Sequence, residues 1–300
     1  MNENPATMLT QSQRRLPDWL KVRIPGGEQY NRLKSLMRGL NLHTVCEDAG
    51  CPNIGECWGR GVATFMILGN VCTRACGYCA VQSGRPFALD PLEPLNVAQA
   101  VRTMGLKHIV VTSVDRDDLK DGGASVFAST VEQIRRLAPG CTVELLVPDF
   151  RGDQAALRTV VSAGPEILNH NVETVPRLYR LARSGGNYRR SVALLEKARQ
   201  WRPEMITKTG MMLGLGEEKE EILDVIRDLV AAGVGILTLG QYLQPTRSHL
   251  PVSRFYHPDE FRELRVAGEL LGLSHVEAGP LVRSSYQADR QFEQSLRLQH

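Results

Sequence analysis

Six short apolar runs alternate with amphipathic stretches after residue 60, and this alternation restricts the fold more than any other feature of the chain. The runs are rich in Leu or β-branched residues and end at Gly, Pro or polar residues, which is typical of parallel strands buried on both faces. We predict strands at 63–68, 108–113, 142–148, 167–172, 206–215 and 236–243. We predict helices between them at 96–105, 124–137, 153–163, 187–201 and 217–232.

Strands that alternate with helices form a parallel sheet with right-handed crossovers. A chain of 300 residues with six such units has too few elements for an eight-unit barrel. We therefore predict an α/β fold, a partial (β/α)6 barrel with N-terminal and C-terminal extensions. We place the first extension at 1–60, the barrel at 61–256 and the second extension at 257–300, with a helix over 259–271 and a strand over 275–278.

Six of the seven cysteines lie between residues 46 and 79. The first fifteen residues lack an apolar signal core, and no apolar run approaches the ~20 residues of a membrane span. We therefore expect a cytoplasmic protein without a membrane partner, in which clustered reduced cysteines bind metal or catalyse. The net charge of +3 excludes a strongly basic nucleic-acid binder.

The later cysteine triplet, Cys72, Cys76 and Cys79, has C-x3-C-x2-C spacing and directly follows the first predicted strand. Three thiolates in one tight loop suit a soft metal centre, whereas a structural zinc site needs four ligands. A four-iron cluster held by three cysteines leaves one iron free to bind another molecule. Buried core cysteines are the alternative, but the flanking residues are polar. The spacing is the signature of radical S-adenosylmethionine (SAM) enzymes.

The earlier triplet, Cys46, Cys51 and Cys57, has wider and unequal spacing. Glycine and proline between these cysteines bend the chain and let the sulfurs converge. A second iron–sulfur cluster and a zinc site both fit this triplet, because His43 is near enough in sequence to be a fourth zinc ligand. The residues alone leave both open.

The sequence resembles the lipoyl synthases of the radical SAM superfamily. The match runs from LPDWLK at residue 16 to RSSYQAD at 283–289, and it includes both cysteine triplets, VVTSVDRDDLKDGGA at 110–124 and GPLVRSSY at 279–286. The resemblance implies two [4Fe–4S] clusters. One is held by Cys72, Cys76 and Cys79 and binds the amino and carboxylate groups of SAM through its free iron. The other, an auxiliary cluster, is held by Cys46, Cys51, Cys57 and a serine, which we predict to be Ser285, with Ser284 as the alternative.

The resemblance also implies a reaction in lipoate biosynthesis, sulfur insertion at C6 and C8 of a protein-bound octanoyl-lysine to give lipoyl-lysine. Those C–H bonds have no useful acidity, so we predict no acid–base catalytic residue. The clusters and SAM carry the radical chemistry, and the auxiliary cluster is consumed as the sulfur source. An electron-relay role for that cluster is one alternative, and an iron–sulfur carrier or zinc module without enzyme activity is another.

Polar residues and glycines at strand ends are the predicted SAM contacts. The Gly210-x-Met212-x-Gly214 segment suits contact with a flat adenine ring, although a glycine-bearing strand end explains it equally well. The predicted contacts are Thr112, Ser113, Asn169, Asn171, Glu173, Lys208, Met212 and Gly214. We expect 115–118 to be a solvated loop, and His170 and Cys141 to be structural.

The resemblance implies two kinds of protein partner. The substrates are octanoylated lipoyl carrier domains, namely H protein or the E2 subunits of 2-oxoacid dehydrogenases, and a ferredoxin or flavodoxin supplies low-potential electrons. Between residues 14 and 38 there are seven basic and two acidic residues. A solvated surface accounts for this excess most simply, and docking of an acidic carrier by Arg14, Arg15, Lys21 and Arg23 is the alternative. We expect a monomer.

Overall fold

The computed structural model describes residues 16–22, 26–40, 42–48, 51–59 and 64–297. Its strands are β1 His43–Thr44, β2 Thr64–Ile67, β3 Val71–Cys72, β4 Gln82–Ser83, β5 His108–Ser113, β6 Thr142–Leu146, β7 Ile167–Asn169, β8 Ile206–Leu213, β9 Ile236–Gln241 and β10 His275–Gly279. Its α-helices are α1 Glu28–Gly39, α2 Val45–Asp48, α3 Ile54–Gly59, α4 Glu93–Met104, α5 Ala124–Leu137, α6 Gln154–Ser162, α7 Tyr179–Ala182, α8 Tyr188–Trp201, α9 Lys219–Ala231, α10 Pro258–Leu271 and α11 Ala288–Arg297.

Eight strands form one sheet in the order β1-β2-β5-β6-β7-β8-β9-β10. From β2 to β10 every neighbouring pair is parallel, and β1 pairs antiparallel with β2 at the edge. Each predicted apolar run contains one of the six central strands, and β10 lies where the short seventh strand was predicted. The prediction of a partial parallel barrel is confirmed.

The two faces of each strand have different surroundings. On β6, Val143 and Leu145 are fully buried in the core cluster that the helices complete, whereas Glu144 between them points to the concave interior and bonds to Asn169 and Lys208 of the next two strands. Successive strand residues face opposite sides. The interior is therefore lined by every second residue of the parallel strands.

Helix α11 closes the end of the barrel where the strands begin. Phe292 packs against Ile167, Ile206 and Ile236, which are the first residues of three neighbouring strands. This arrangement leaves the opposite end, where the strands finish, as the place for a reaction site. None of the helices in the described parts of the chain is long and apolar enough to span a lipid bilayer.

The described part of the N-terminal extension contains three α-helices that were not predicted. Trp58 of α3 is completely buried, and its ring lies 5.0 Å from that of Tyr30 in α1. The predicted boundary between 60 and 61 lies outside the described residues. The predicted C-terminal extension contributes a strand to the central sheet, because β10 pairs in parallel with β9.

Candidate cluster and cofactor site

The loop that carries Cys72, Cys76 and Cys79 is closed at its base by a two-stranded ribbon. Cys72 ends β3, which pairs with β4, and Cys79 N–H donates to the Cys76 carbonyl at 3.1 Å. Thr73 N–H donates to the Asp115 carbonyl beyond β5 at 3.0 Å. The triplet is therefore attached to the end of the sheet where the parallel strands finish, as the sequence predicted.

Arg74, inside this loop, holds the triplet to two further loops. Its guanidinium donates to Asp117 at 2.7 and 2.8 Å and to Asp149 at 2.7 Å, and only 6% of the residue is exposed. Arg190 binds the other oxygen of Asp149. Such charge-assisted, bidentate bonds fix geometry strongly. The expectation of a solvated loop at 115–118 is wrong, because Asp117 is bonded to the cysteine loop.

The thiols of the triplet lie where an uncompensated negative charge is unfavourable. Burial raises the pKa of Cys76 to about 12 and that of Cys79 to about 11, and the nearby Asp115 and Glu173 carboxylates add to both increases. A free thiol here stays protonated at neutral pH. Iron supplies the positive charge that stabilises thiolate ligands, so these residues fit a cationic soft-metal cluster.

Asn171 and Glu173 lie just beyond β7, facing the end of β8. Glu173 adopts a left-handed φ of 68° and bridges to Met211, so the chain leaves the sheet after Asn169 and rejoins it there. Asn171 donates to Glu173 at 3.1 Å, but its own side-chain oxygen is buried without a partner, as is the Ser113 hydroxyl. Two unpartnered buried polar atoms beside the cysteine loop fit a polar ligand such as SAM.

The end of β8 needs a glycine for two reasons. Gly214 has a φ of +109°, and a side chain there would collide with Gln241 and with the Arg254 carbonyl. Met212 N–H donates to the Glu173 carbonyl at 2.8 Å. Of the predicted contacts, Met212 therefore lies beside Glu173, whereas Gly214 packs against Gln241 and Arg254 at the turn that follows β8.

Three other predicted contacts are used within the protein. The Thr112 hydroxyl donates to the Leu146 carbonyl at 2.8 Å, and Asn169 donates to Glu144 at 2.8 Å. We expected Lys208 to meet a cofactor carboxylate, but the carboxylate that it meets is Glu144, at 3.0 Å with both side chains fully buried. These residues form the polar floor of the barrel interior.

The C-terminal Arg-Ser-Ser-Tyr segment packs against the earlier cysteine triplet. Asn53 donates to the Leu281 carbonyl at 2.6 Å, and Tyr286 donates to Glu56 at 3.2 Å. Burial raises the pKa of Cys51, and the Arg283 charge opposes this increase. Two segments more than 220 residues apart in sequence therefore meet at one place.

The two candidate serines point to different partners. Ser285 accepts a hydrogen bond from Thr64 at 2.8 Å, at the start of β2, where the Thr64 backbone also bonds to the thiol of Cys46. Ser284 accepts from Asn171 at 3.3 Å, on the side of the barrel interior. Among the described residues, no three His, Cys, Asp or Glu side chains are arranged to hold a single metal ion.

His170 and Cys141 have the structural roles that were expected. His170 bonds to the Val147 carbonyl at 2.8 Å and to Ser191 at 2.9 Å, and burial next to the Arg183 charge lowers its pKa to about 3. It is therefore neutral at physiological pH. Cys141 is 3% exposed.

Arg74 and Arg183 organise the site, but neither was among the site residues predicted from the sequence. Arg183 donates to the Asn171 carbonyl at 2.6 Å and is 8% exposed. A single arginine has no periodicity or spacing that distinguishes it from a surface residue. The only available signal was the position of Arg74 between two cysteines of the triplet.

A cysteine triplet at the carboxyl end of a partial parallel barrel defines the chain as a radical SAM enzyme. The model of the radical SAM superfamily matches residues 66–229, and that of the N-terminal domain of lipoyl synthase matches residues 2–51. Lipoyl synthase of Rubrobacter xylanophilus is 58% identical over 281 residues, covering 94% of this chain and 88% of the relative. That of Koribacter versatilis is 58% identical over 275 residues, covering 92% and 90%. The chain belongs to the lipoyl synthase family.

Solved structures share the fold at low sequence identity. Methylornithine synthase superposes with a TM-score of 0.52 at 15% identity, covering 92% of this chain and 89% of that one. Streptococcus suis SuiB bound to its precursor peptide gives a TM-score of 0.55 at 10% identity, covering 76% and 52%. These similarities support the barrel alone.

Proposed function

We propose that this enzyme inserts two sulfur atoms, at C6 and C8, into an octanoyl chain carried on a lysine of a lipoyl carrier domain. The observation that carries the proposal is the packing of Arg283-Ser284-Ser285-Tyr286 against the earlier cysteine triplet, beside Asn53 and Glu56. Family membership agrees with the assignment.

Cys72, Cys76 and Cys79 would hold the cluster that binds SAM. Cys46, Cys51 and Cys57 would hold the auxiliary cluster, with Ser285 as its fourth ligand. The Ser285 hydroxyl supports this assignment because it bonds to Thr64 beside Cys46, whereas Ser284 bonds to Asn171. An alkoxide is a harder donor than a thiolate and suits sulfide-bound iron less well. The bond between the serine and its iron would therefore be the weakest protein bond to the cluster, which suits a cluster that is taken apart during the reaction.

When bound and reduced, the cluster–SAM pair supplies a 5′-deoxyadenosyl radical that abstracts hydrogen from an unactivated carbon. The protein contributes orientation. Asn171 and Glu173 would bind the polar groups of SAM, and the end of β8 at Met212 and Gly214 would contact its adenine ring. Below these groups Glu144 binds both Lys208 and the Asn169 amide N–H, whereas the Asn169 side-chain oxygen is buried without a partner. The auxiliary cluster is a substrate, and its sulfide is transferred to each carbon.

The proposed partners follow from this chemistry. An octanoylated H protein or E2 lipoyl domain brings the substrate, and a ferredoxin or flavodoxin brings electrons. Of the basic residues proposed to dock the carrier, Lys21 is exposed and pairs with Asp18, and Arg14, Arg15 and Arg23 lie outside the described residues. Neutralising all four should raise the KM for the carrier protein and leave that for a short octanoyl peptide unchanged. Equal effects on both substrates would refute this docking role.

The cysteine variants test whether one cluster serves SAM cleavage and the other serves sulfur insertion. Cys46→Ala, Cys51→Ala or Cys57→Ala in the anaerobically reconstituted protein should still cleave SAM but form no lipoyl product from an octanoyl-lysine peptide. Cys141→Ala is the matched control, because that thiol is buried away from both triplets, and this variant should retain both activities. Lipoyl product from Cys46→Ala at the rate of the unmodified enzyme would overturn the proposal.

A further inference from the structure

A basic, exposed surface surrounds the turn between α7 and α8. Arg180, Leu181 and Arg189 project from it, and Leu181 is 63% exposed. We call these three residues the Arg180 patch. The patch borders a cleft of about 680 Å³ whose one acidic lining residue among the described residues, Asp228, accepts a hydrogen bond from Tyr188 at 2.8 Å.

The charges of this patch are not neutralised within the protein. Over the described parts of the chain, no carboxylate forms an ion pair with Arg180 or Arg189. By contrast, the nearby exposed Arg177 binds Glu221 at 2.8 Å. Unpaired arginines around an exposed leucine provide electrostatic attraction and an apolar anchor together, which suits a partner with an acidic surface.

The patch is connected directly to the loop of the SAM-binding triplet. Gly77, which follows Cys76, donates through its N–H to the carbonyl of Ala182 at 2.9 Å, one residue beyond Leu181. The Gly77 carbonyl accepts from Leu250 N–H at 2.9 Å. One hydrogen bond therefore separates the backbone of the patch from the backbone of the cysteine loop.

This location is the one that electron delivery requires. Each SAM cleavage consumes one electron, and that electron must come from outside the chain. The rate of electron transfer falls steeply with distance, so the donor has to dock where the cysteine loop approaches the surface. Electron-transfer complexes are small and transient, and electrostatics controls their formation more than buried area does.

We propose that the Arg180 patch is the docking surface for an acidic, low-potential, one-electron carrier protein. One electron leaves the reduced carrier, which is oxidised by one electron, and enters the cluster held by Cys72, Cys76 and Cys79. The inference rests on the proposed radical chemistry but not on the sulfur-insertion step. The octanoylated carrier domain is the competing occupant, and the test separates the two.

The test compares two reductants on one double variant. Arg180→Glu combined with Arg189→Glu reverses the charge of the patch and should raise the KM for reduced flavodoxin at least about tenfold in 5′-deoxyadenosine formation. With dithionite as reductant the rate should stay within about twofold of that of the unmodified enzyme. Arg102→Glu combined with Arg136→Glu makes the same charge change on exposed arginines of α4 and α5 that likewise form no ion pair within the described residues, and it should leave both rates unchanged.

Three outcomes would overturn the proposal. An unchanged KM for flavodoxin means that the donor docks elsewhere. An equal loss with dithionite means that the patch supports the cysteine loop structurally. A raised KM for the octanoylated carrier domain, with normal flavodoxin kinetics, assigns the patch to the substrate protein. Because SAM cleavage is the readout, a failure of sulfur insertion would not be mistaken for any of these results.

Discussion

The buried ion pair in the barrel floor makes Glu144→Gln the most informative stability variant. Glu144 and Lys208 are both fully buried, with their charged atoms 3.0 Å apart. Burial alone would raise the pKa of Glu144, but the Lys208 charge and the neighbouring His108 and Asn169 side chains outweigh burial and lower it to about 2. Glutamine keeps the shape and the bond from Asn169 while removing the charge that compensates Lys208.

Removing one partner of a buried ion pair leaves the other charge uncompensated, which costs about 3–5 kcal/mol of unfolding free energy. For a chain of 300 residues, about 1.6 °C of melting temperature is lost per kcal/mol. Glu144→Gln should therefore melt about 5–8 °C below the unmodified protein. Burial also lowers the pKa of Lys208, and only carboxylates oppose this effect.

The stability loss caused by Glu144→Gln should also change with pH in a defined direction. A lysine whose pKa is lower in the folded state binds fewer protons when folded, so folding becomes more favourable as the pH rises towards the unfolded value of about 10.4. The stability deficit of Glu144→Gln should therefore shrink between pH 7 and pH 9.5, as followed by circular dichroism. Glu144→Gln combined with Lys208→Met should regain most of the loss. A deficit below about 1 kcal/mol, or one independent of pH, would refute the reasoning.

Two further predictions concern the cluster sites. A methyl group on Gly240 would collide with the Val282 carbonyl, so Gly240→Ala should displace the serine segment and lower the bound iron from about eight to about four per chain. Gly235→Ala, whose new methyl group meets nothing closer than 3.6 Å, should keep full iron, and equal iron in both variants would contradict the assigned packing. Arg74→Met should lose iron from the SAM-binding triplet because Asp117 and Asp149 lose a shared partner, and Arg74→Lys should lose less. Iron and acid-labile sulfide analysis measures each, and full iron in Arg74→Met would show that Arg74 does not organise the loop.

The strands of the barrel were predictable because their signal is local. Runs such as 108–113 and 236–243 are short, rich in Leu or β-branched residues and end at or beside Gly or polar residues, which is typical of strands in a sheet covered by helices. The positions at which individual strands end were less predictable. The run at 167–172 stops being a strand after Asn169, since the left-handed Glu173 bends the chain. In the N-terminal extension, α1 was missed although its apolar residues Tyr30, Leu33 and Met37 recur at helical spacing. Helices α2 and α3 have only four and six residues, which is too short for a periodic pattern.

The site was predictable where chemistry fixes residue spacing and not where distant residues meet. The two cysteine triplets can be recognised by their spacing in the sequence. Arg74 and Asp117, by contrast, are 43 positions apart and come together only when the chain folds. The same holds for the two serines. Whether Ser284 or Ser285 faces the earlier triplet depends on how the segment lies beside Thr64 and Asn171, which no sequence pattern encodes.

The origin of the sulfur tests the central claim most directly. The auxiliary site is reconstituted with 34S-labelled sulfide, the protein is freed of unbound sulfide, and octanoyl-lysine peptide, SAM and reductant are added without air. The account predicts that both sulfur atoms of the lipoyl product carry the label and that product stops at about one per chain as the auxiliary cluster is lost. Unlabelled product, or many turnovers with an intact auxiliary cluster, would contradict it.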